Sequence, residues 1–273
     1  MIMTWKQKPV NIPANTTSDK KKEKKREVKI MFKLELTDNS IFKSAFDSIS
    51  SIVDEITLTA DSEALHLRCL DKSHITFIIM DLNKTVFDEY ECDTPEKIAI
   101  DCEDFNQLLK KCKNNEILKL ETDDSSLIMT FKGEGKRKFK LPFIDLEYDN
   151  PQPPQMNIPC KISIPSSQLK TYISDMKFFS DKLNFIIDEN YFKVSTDGQK
   201  GDAEIEYLHG ENILEAVKSM YSIPKLEEIM KAEKFSKQCT IEVGTDMPLR
   251  ITFTLPTDDG KLEYLLAPRL ENE

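Results

Sequence analysis

The stretch LIMTF at residues 127–131 decides the fold of this chain together with a second stretch, LRITF at residues 249–253. Every second position in both stretches is apolar, which is the two-residue period of a β-strand. The two stretches lie 122 positions apart, and SIFK at residues 40–43 is followed 127 positions later by SQLK at residues 167–170. Two copies of one module therefore follow each other along the chain.

Four segments repeat apolar residues every three to four positions, the period of an amphipathic helix. They are residues 40–53, 105–113, 169–177 and 225–234. Between them lie short stretches with a two-residue period, such as residues 56–59 and 65–67. A helix followed by several strands, four times over, predicts an α+β fold with antiparallel sheets.

Composition indicates the boundaries of the two copies. We expect the first domain at residues 31–146 and the second at residues 158–273. The segment between them, residues 147–157, is rich in proline and lacks periodicity, so it is predicted to be a stiff, extended connector. Residues 1–30 hold nine basic and three acidic side chains, and they are predicted to form a disordered basic extension.

The composition argues against most catalytic chemistry. The chain has three histidines, none in a zinc-protease spacing, and six cysteines without a C-x-x-C pair, so we expect buried free thiols and no metal site. Its seven glycines form no phosphate-binding loop, so we expect no nucleotide hydrolysis and no cofactor. No apolar window is long enough to span a membrane and no secretory leader begins the chain, which predicts an intracellular protein.

The net charge of −10 is distributed unevenly. Residues 1–30 carry +6, so residues 31–273 carry −16, and so acidic a body repels DNA unless its lysines are gathered on one face. The four helical segments hold nine lysines and five acids. Two interpretations of this pattern stay open: solvated helix faces without a ligand, or a basic surface that meets phosphate groups.

Five motifs carry a family resemblance: MFKLEL at residues 31–36, LDKSHI at 70–75, FDEYEC at 87–92, DLE at 145–147 and YLLAPRL at 264–270. From residue 31 onward the chain resembles the sliding clamps of the proliferating cell nuclear antigen family, in particular its archaeal members. The resemblance implies a DNA-clamp fold with two similar domains, each with helices on one face of antiparallel sheets. It also implies a trimeric ring that encircles duplex DNA, tethers replication and repair enzymes and has no catalysis of its own.

The resemblance assigns two sets of site residues. The helix faces line the channel for DNA, and their lysines are Lys43, Lys110, Lys111, Lys113, Lys170, Lys177, Lys231 and Lys234. A pocket beneath the connector receives short partner peptides that carry a glutamine and two aromatic residues. Its positions are Leu70, His74, Ile75, Leu146, Tyr148, Met156, Pro248, Ala267, Pro268, Arg269 and Leu270.

The implied partners are duplex DNA, bound without sequence preference, further copies of the chain in a homotrimer, and a clamp loader. DNA polymerase, flap nuclease and DNA ligase are expected to bind through clamp-interaction peptides, and no membrane is involved. Subunits are expected to join edge to edge, with residues 126–132 pairing with residues 191–196 of the next subunit. The implied location is the nucleoid in the cytoplasm of an archaeon, or the nucleus if the source is eukaryotic.

Two other functions stay open at this point. The chain is a subunit of a heterotrimeric or checkpoint-type clamp, or it is a metal-dependent nucleic-acid hydrolase, although it lacks the ligand spacing for the latter. Residues 1–30 also have three interpretations: an upstream start codon or a segment added for expression, a disordered native extension, or a tail that binds DNA or a partner.

Overall fold

The computed structural model describes residues 31–146 and 151–270; the predicted extension at residues 1–30 and the pocket candidate Tyr148 lie outside the described residues. The first copy of the module consists of β1 (Phe32–Leu36), α1 (Ser40–Ile49), β2 (Glu55–Ala60), β3 (Ala64–Leu70), β4 (Thr76–Asn83), β5 (Glu89–Cys92), β6 (Glu96–Asp101), α2 (Cys102–Leu109), β7 (Ile117–Asp123), β8 (Ser126–Lys132) and β9 (Lys136–Pro142). The second copy consists of β10 (Cys160–Pro165), α3 (Ser166–Met176), β11 (Lys182–Ile187), β12 (Tyr191–Gly198), β13 (Gly201–Leu208), β14 (Val217–Ser222), α4 (Ile223–Ile229), β15 (Gln238–Val243), β16 (Leu249–Thr254) and β17 (Gly260–Leu266). Short 3-10 helices occur at Lys84–Val86 and Met230–Lys234.

The two copies share one plan. Each begins with a strand and a helix, continues with a run of strands, and ends with a second helix and three strands. Within the described residues, the second copy has no counterpart of β5. The predicted α+β fold and the predicted order of helices and strands are confirmed. None of the described helices has the length and apolar character that a membrane crossing requires.

Three helices, α2, α3 and α4, begin two or three residues earlier than their apolar period predicts. α2 begins at Cys102, because the side chain of Asp101 accepts a hydrogen bond from the backbone N–H of Asp104, 2.8 Å away, and so caps the helix. α4 begins at Ile223 with Pro224 in its first turn, where proline's missing N–H costs nothing. The segment predicted as one helix over residues 225–234 is α4 followed by the 3-10 turn Met230–Lys234.

The strands form three antiparallel sheets. The first sheet has the order β5-β1-β7-β8-β9, and the third sheet has the order β13-β12-β11-β14. The central sheet has eight strands in the order β10-β15-β16-β17-β4-β3-β2-β6, four from each copy. The two copies meet where β17 pairs with β4, from Gly260 opposite Leu82 to Leu266 opposite Thr76. We call this pair of strands the internal joint.

The strand pairing expected between subunits is wrong. It joined residues 126–132 to residues 191–196 of a neighbour, but β8 lies between β7 and β9, and β12 lies between β11 and β13. Both strands already have a strand on each side, so neither can accept another one. In the described part of the chain, β9 and β13 each have a strand neighbour on one side only.

The four helices form a single layer, here called the helix layer. α2 packs on α1, α1 packs on α4 and on the turn Met230–Lys234, and these pack on α3. In α1 the side chains of Phe42, Phe46 and Ile49 are fully buried, and burial of side chains of this size contributes about 1.5–3 kcal/mol each. The buried hydroxyl of Tyr264 in β17 donates a hydrogen bond to Oγ of Ser48 in α1, 2.7 Å away, which attaches the layer to the central sheet at the internal joint.

Candidate functional site

Three of the lysines expected in the DNA channel bridge neighbouring helices. Lys110, the residue directly after α2, forms an ion pair with Asp47 of α1 at 2.5 Å. On the other side of the layer, Lys170 pairs with Glu233 at 2.9 Å, and Lys177 pairs with Glu227 at 2.8 Å. Lys110, Lys170 and Lys177 are exposed, so each pair contributes little to stability but cancels a positive charge. The layer is therefore less basic than a count of its lysines implies.

Four other lysines of the expected set are exposed, and none of them forms an ion pair with a described residue: Lys111, Lys113, Lys231 and Lys234. The first two follow α2, and the last two lie in the turn after α4. A groove of about 440 Å³ between α3 and α4 is lined by Lys231 together with Lys170 and Lys177. The same groove is also lined by Glu227 and Glu228, so acidic and basic side chains alternate on this part of the helix layer.

Two lysines of the helical segments are held within the protein. The ammonium group of Lys43 donates hydrogen bonds to the backbone oxygen of Cys112 and to Oδ1 of Asn114. It thus provides a donor for a backbone carbonyl just after the end of α2. The ammonium group of Lys225, which was not among the expected channel residues, lies 3.6 Å from Asp71 and 3.0 Å from Glu228. Position on a helix does not reveal these bonds, because long side chains reach groups on neighbouring elements.

Polar contacts hold the helix layer together beneath the lysines. Oγ of Ser48 in α1 donates to the backbone oxygen of Glu228 in α4 at 2.9 Å, and the amide of Asn106 in α2 donates to Oγ of Ser50 at 2.7 Å. The pKa of Asp47 is lowered: partial burial favours its neutral form, but the hydrogen bonds from Lys110 and Asn106 and the positive charges of Lys110 and Lys231 together outweigh burial. Asp47 is therefore ionised at neutral pH and remains paired with Lys110.

The face of the central sheet opposite the helix layer carries a separate apolar cluster. Phe77, Ile79 and Leu265 are buried there, and Met156 of the connector packs on them. We call this cluster and its rim the outer groove. Alternate side chains of β4 point to opposite faces, so Ile78 faces the main core while its neighbours face the groove.

The sequence reasoning did not assign Phe77, Ile79 and Leu265 to the pocket. The signal was present, because residues 77–80 are four consecutive apolar residues. A strand without polar alternation is buried on both faces, which requires a cover on each face. The connector residue Met156, which was expected at the pocket, supplies part of that cover.

The loop at residues 71–75 forms the rim of the groove and is held rigidly. Oδ1 of the buried Asp71 accepts hydrogen bonds from the backbone N–H groups of Ile75 at 2.7 Å and Thr76 at 2.8 Å. His74 adopts a left-handed backbone conformation with φ 58°, and its N–H donates to the backbone oxygen of Asp71. The exposed imidazole of His74 thus stands at a fixed point of the rim.

Several expected pocket residues lie beside the cluster. Leu70 is directly opposite Phe77 in the ladder, and the side chains of Leu70 and Ile75 are 37% and 39% exposed, unusually open for residues of this size. The N–H of Ala267 donates to the backbone oxygen of Ile75 at 2.9 Å, which closes the rim. Pro248 is partly buried next to Leu249, the first residue of β16.

The remaining candidates lie on the segments that leave the sheets. Arg269 pairs with Asp181 at 2.8 Å, and its N–H donates to the backbone oxygen of Met220 in β14. Leu270 is 65% exposed, and Pro268 and Leu146 are partly buried. In the described structure the Arg269 side chain is therefore engaged with the third sheet rather than with Phe77, Ile79 or Leu265.

The described residues contain no group of three or more His, Cys, Asp or Glu side chains placed to hold a metal ion. The six cysteines are free and five of them are buried, as expected for structural thiols. Burial raises the pKa of the Cys69 and Cys239 thiols to about 12, which keeps them protonated at neutral pH.

Comparison with known proteins identifies the family of the chain. Models for the N-terminal and C-terminal domains of proliferating cell nuclear antigen match residues 31–151 and 153–269. The DNA polymerase sliding clamp of Methanobrevibacter smithii is 49% identical over 243 residues, and that of Methanothermobacter thermautotrophicus is 46% identical over 243 residues. Each alignment covers 89% of this chain and all of the relative.

A solved structure shows the same fold. The crystal structure of proliferating cellular nuclear antigen from Entamoeba histolytica superposes with a TM-score of 0.81 and covers 88% of this chain and all of that chain. Its sequence is 18% identical, so this likeness speaks for the fold alone. Two domain models that together span most of the chain, and relatives of nearly half identity, show the family. The chain belongs to the proliferating cell nuclear antigen family of DNA polymerase sliding clamps.

Proposed function

We propose that this chain is the subunit of a ring that encircles duplex DNA and holds DNA polymerase on it. One observation carries the proposal: the lysine-bearing helix layer covers one face of the central sheet, and the apolar outer groove lies on the other. A ring of such subunits presents lysines to the DNA inside and keeps the groove accessible outside. Lysine contacts with phosphates carry no sequence information, so the ring slides.

The four exposed lysines without an ion pair are the leading candidates for phosphate contact: Lys111, Lys113, Lys231 and Lys234. Lys110, Lys170 and Lys177 contribute when phosphate replaces the carboxylate of their present partner. Lys43 acts mainly within the protein, because its ammonium group already has two acceptors. The acidic remainder of the body keeps DNA away from the outer wall.

The outer groove would receive the clamp-interaction peptides of DNA polymerase, flap nuclease and DNA ligase. Its open rim at Leu70 and Ile75 and its apolar floor suit aromatic anchors, which contribute most of the binding energy in such contacts. The rigid loop at residues 71–75 lowers the entropy cost of binding. The chain would act without catalysis of its own, and a separate ATP-driven clamp loader would open the ring. In an archaeon it would act at the nucleoid in the cytoplasm.

The ring would be a homotrimer joined through β9 of one subunit and β13 of the next. The edges β6 and β14 are each crossed by a following segment: the N–H of Ile144 donates to the oxygen of Ala99, and the N–H of Arg269 donates to that of Met220. β9 and β13 have no such cover among the described residues, and closing a ring would remove both free edges.

A topological experiment tests the function. The protein is placed on nicked circular DNA with a clamp loader from an archaeal relative and ATP, isolated by gel filtration, and the DNA is then cut once. We expect the protein to stay on the circle and to leave after linearisation, because a ring held by topology slides off an end. Release that is equal from circular and linear DNA would contradict encirclement.

A further inference from the structure

We propose that the joint between subunits is an ionic lock in which three lysines of β9 lie directly opposite three acids of β13 on a second copy of this chain. The pairs are Lys136 with Glu206, Lys138 with Glu204, and Lys140 with Asp202. The inference rests on the proposed ring and adds the register, the chemistry and the salt dependence of its joint.

The register follows from the internal repeat. β8 corresponds to β16, and the ladders β8·β9 and β16·β17 then place each β9 residue 125 positions before its equivalent in β17, so that Phe139 corresponds to Tyr264. β3 corresponds to β12, and the ladders β3·β4 and β12·β13 place each β13 residue 125 positions after its equivalent in β4. β9 is therefore the equivalent of β17, and β13 is the equivalent of β4. We call β9 and β13 the open edges, because in the other copy of the module the same two strands form the internal joint.

The ladder of the internal joint can be transferred to the open edges. Lys261 lies opposite Asp81, Glu263 opposite Ile79, and Leu265 opposite Phe77. Replacing each residue by its equivalent gives the three lysine–acid pairs of the lock. No charge of the same sign falls opposite another, and like charges directly opposite each other would weaken the pairing.

The internal joint also shows that this position accommodates an ion pair. The ammonium group of Lys261 lies 3.6 Å from the carboxylate of Asp81 across the joint. These two residues are the equivalents of Lys136 and Glu206. One of the three pairs thus has a counterpart already formed in the protein, at the same place in the same ladder.

The two edges have matching faces. On β9, Lys136, Lys138 and Lys140 are exposed, whereas Phe139 between them is partly buried against the core. On β13, exposed Asp202, Glu204 and Glu206 alternate with Ala203, Ile205 and Tyr207, which are partly buried against the core. The transferred register sets Phe139 opposite Ala203 and Arg137 opposite Ile205, so the core-facing side of the joint combines apolar side chains with one arginine that is already paired with Glu116.

Within one subunit these charges are incompletely paired. Lys193 alone serves two acids, Glu204 at 3.1 Å and Glu206 at 2.8 Å, and Lys140 pairs with Asp123 at 2.7 Å. Neither Lys136 nor Lys138 forms an ion pair with a described residue. The β9 edge keeps surplus positive charge and the β13 edge keeps surplus negative charge, which guides the two edges together.

Both halves of the lock lie on one chain. A subunit with a basic edge and an acidic edge is complementary to itself head to tail, which favours a ring of identical subunits over one built with paralogues. Exposed ion pairs are weakened by salt, with a Debye length of about 8 Å at physiological ionic strength. The ring therefore opens more readily as ionic strength rises.

Charge reversal tests the lock by sedimentation velocity at micromolar protein. The wild type is expected to form trimers whose dissociation constant rises with sodium chloride concentration. Lys138→Glu and Glu204→Lys each place like charges opposite each other, and each is expected to raise the dissociation constant at least about tenfold. The double variant restores an opposite pair and is expected to recover most of the loss. Lys218→Glu in β14, at the far edge of the third sheet, is the control and is expected to leave assembly unchanged.

The possible outcomes distinguish a failure of the ionic lock from a failure of the proposed ring. Folded single variants that trimerise like the wild type at every salt concentration would overturn the lock and leave the ring intact. Failure of the double variant to recover, with circular dichroism like that of the wild type, would overturn the register. A wild type that stays monomeric at micromolar concentration and low salt would contradict the proposed ring itself.

Discussion

The internal joint and the open edges use the same two strands of the module with different chemistry. At the internal joint three outward-facing side chains of β4 and β17, Phe77, Ile79 and Leu265, form a buried apolar cluster with Met156 packed on it. At the open edges the equivalents of these three side chains are all charged: Asp202 and Glu204 on β13 and Lys140 on β9. The same pair of strands thus forms a joint stabilised by apolar burial in one place and exposed edges suited to reversible pairing in the other.

The difference teaches how a repeated fold separates permanent contacts from reversible ones. Burial of apolar side chains on both faces of the internal joint depends little on salt, and it forms with the fold itself. Exposed ion pairs are individually weak and are screened by salt. The proposed ring, which would open to admit DNA, would need the second kind of contact between subunits and the first kind within them.

The largest expected effect comes from removing buried volume at the internal joint. Met80 of β4 is fully buried, and Ile205 is its partly buried equivalent in β13. Met80→Ala is expected to lower the free energy of unfolding by about 2–5 kcal/mol, and Ile205→Ala by roughly 1–2 kcal/mol, because less apolar surface is lost at an open edge. Urea unfolding followed by circular dichroism measures both. Equal losses would show that the two joints are packed alike.

A second variant gives the internal joint the chemistry of the open edge. Ile79 corresponds to Glu204, and it lies opposite Glu263. Ile79→Glu buries a carboxylate opposite another one, which is expected to destabilise the chain by roughly 3 kcal/mol and to remove binding of a clamp-interaction peptide. Ile79→Val is the matched control, with peptide binding measured by fluorescence anisotropy. Unchanged peptide affinity in Ile79→Glu would place the binding site elsewhere.

A smaller effect is expected where the internal joint is attached to the helix layer. Tyr264 donates its buried hydroxyl proton to Ser48, whereas its equivalent at the open edge, Phe139, has no hydroxyl group. Tyr264→Phe leaves Ser48 without this donor and is expected to cost about 1 kcal/mol in urea unfolding. Tyr207→Phe, at a partly buried position of β13, serves as the control and should cost less. A loss as large in the control would show that the hydrogen bond is not the cause.

The smallest effect concerns pH at the outer face of the internal joint. The hydrogen bond to Asp81 raises the pKa of His66 above its usual 6.5, against partial burial, and Asp61 adds to the rise while Arg68 opposes it. Burial alone would raise the pKa of Asp81, but its hydrogen bonds with His66 and Arg68 lower it to about 2. Lys261 also faces Asp81, so this carboxylate stays ionised throughout the range in which His66 titrates.

A group whose pKa is raised by folding stabilises the native state below its unfolded pKa, and loses that contribution as pH rises through the folded pKa. The stability difference between the wild type and His66→Gln is therefore expected to be largest below pH 6.5 and to shrink as the pH rises above it. Urea unfolding at a series of pH values measures it. A difference that grows with pH would contradict the assigned ion pairs.

Much of the fold could be predicted from the sequence. The two-residue period identified β8 and β16, the helical period identified the four helices, and the repeat gave the two copies. The neighbours of each strand were harder to predict, because an alternating strand looks the same at the centre of a sheet as at its edge. The contrast between KRKFK in β9 and DAEIE in β13 was visible in the sequence, but its meaning depends on knowing which strands are edges.

The candidate site could likewise be predicted only in part from the sequence. The sequence places lysines on helices, but the structure is needed to show that Lys43 binds the chain after α2 and that Lys225 reaches Asp71. Those contacts join elements that are far apart in sequence, and no local pattern encodes them. The floor of the outer groove was readable as an unbroken apolar run, whereas its cover by Met156 depends on the path of the connector.

The eight-stranded central sheet is also a mechanical element. Its ladder continues without a break from β10 to β6 and crosses the boundary between the two copies at β4 and β17. Bending it there would break backbone hydrogen bonds and expose apolar side chains on both faces at once. Each subunit therefore behaves as a stiff plate. In the proposed ring, the opening that admits DNA would therefore lie between chains, where β9 would meet β13.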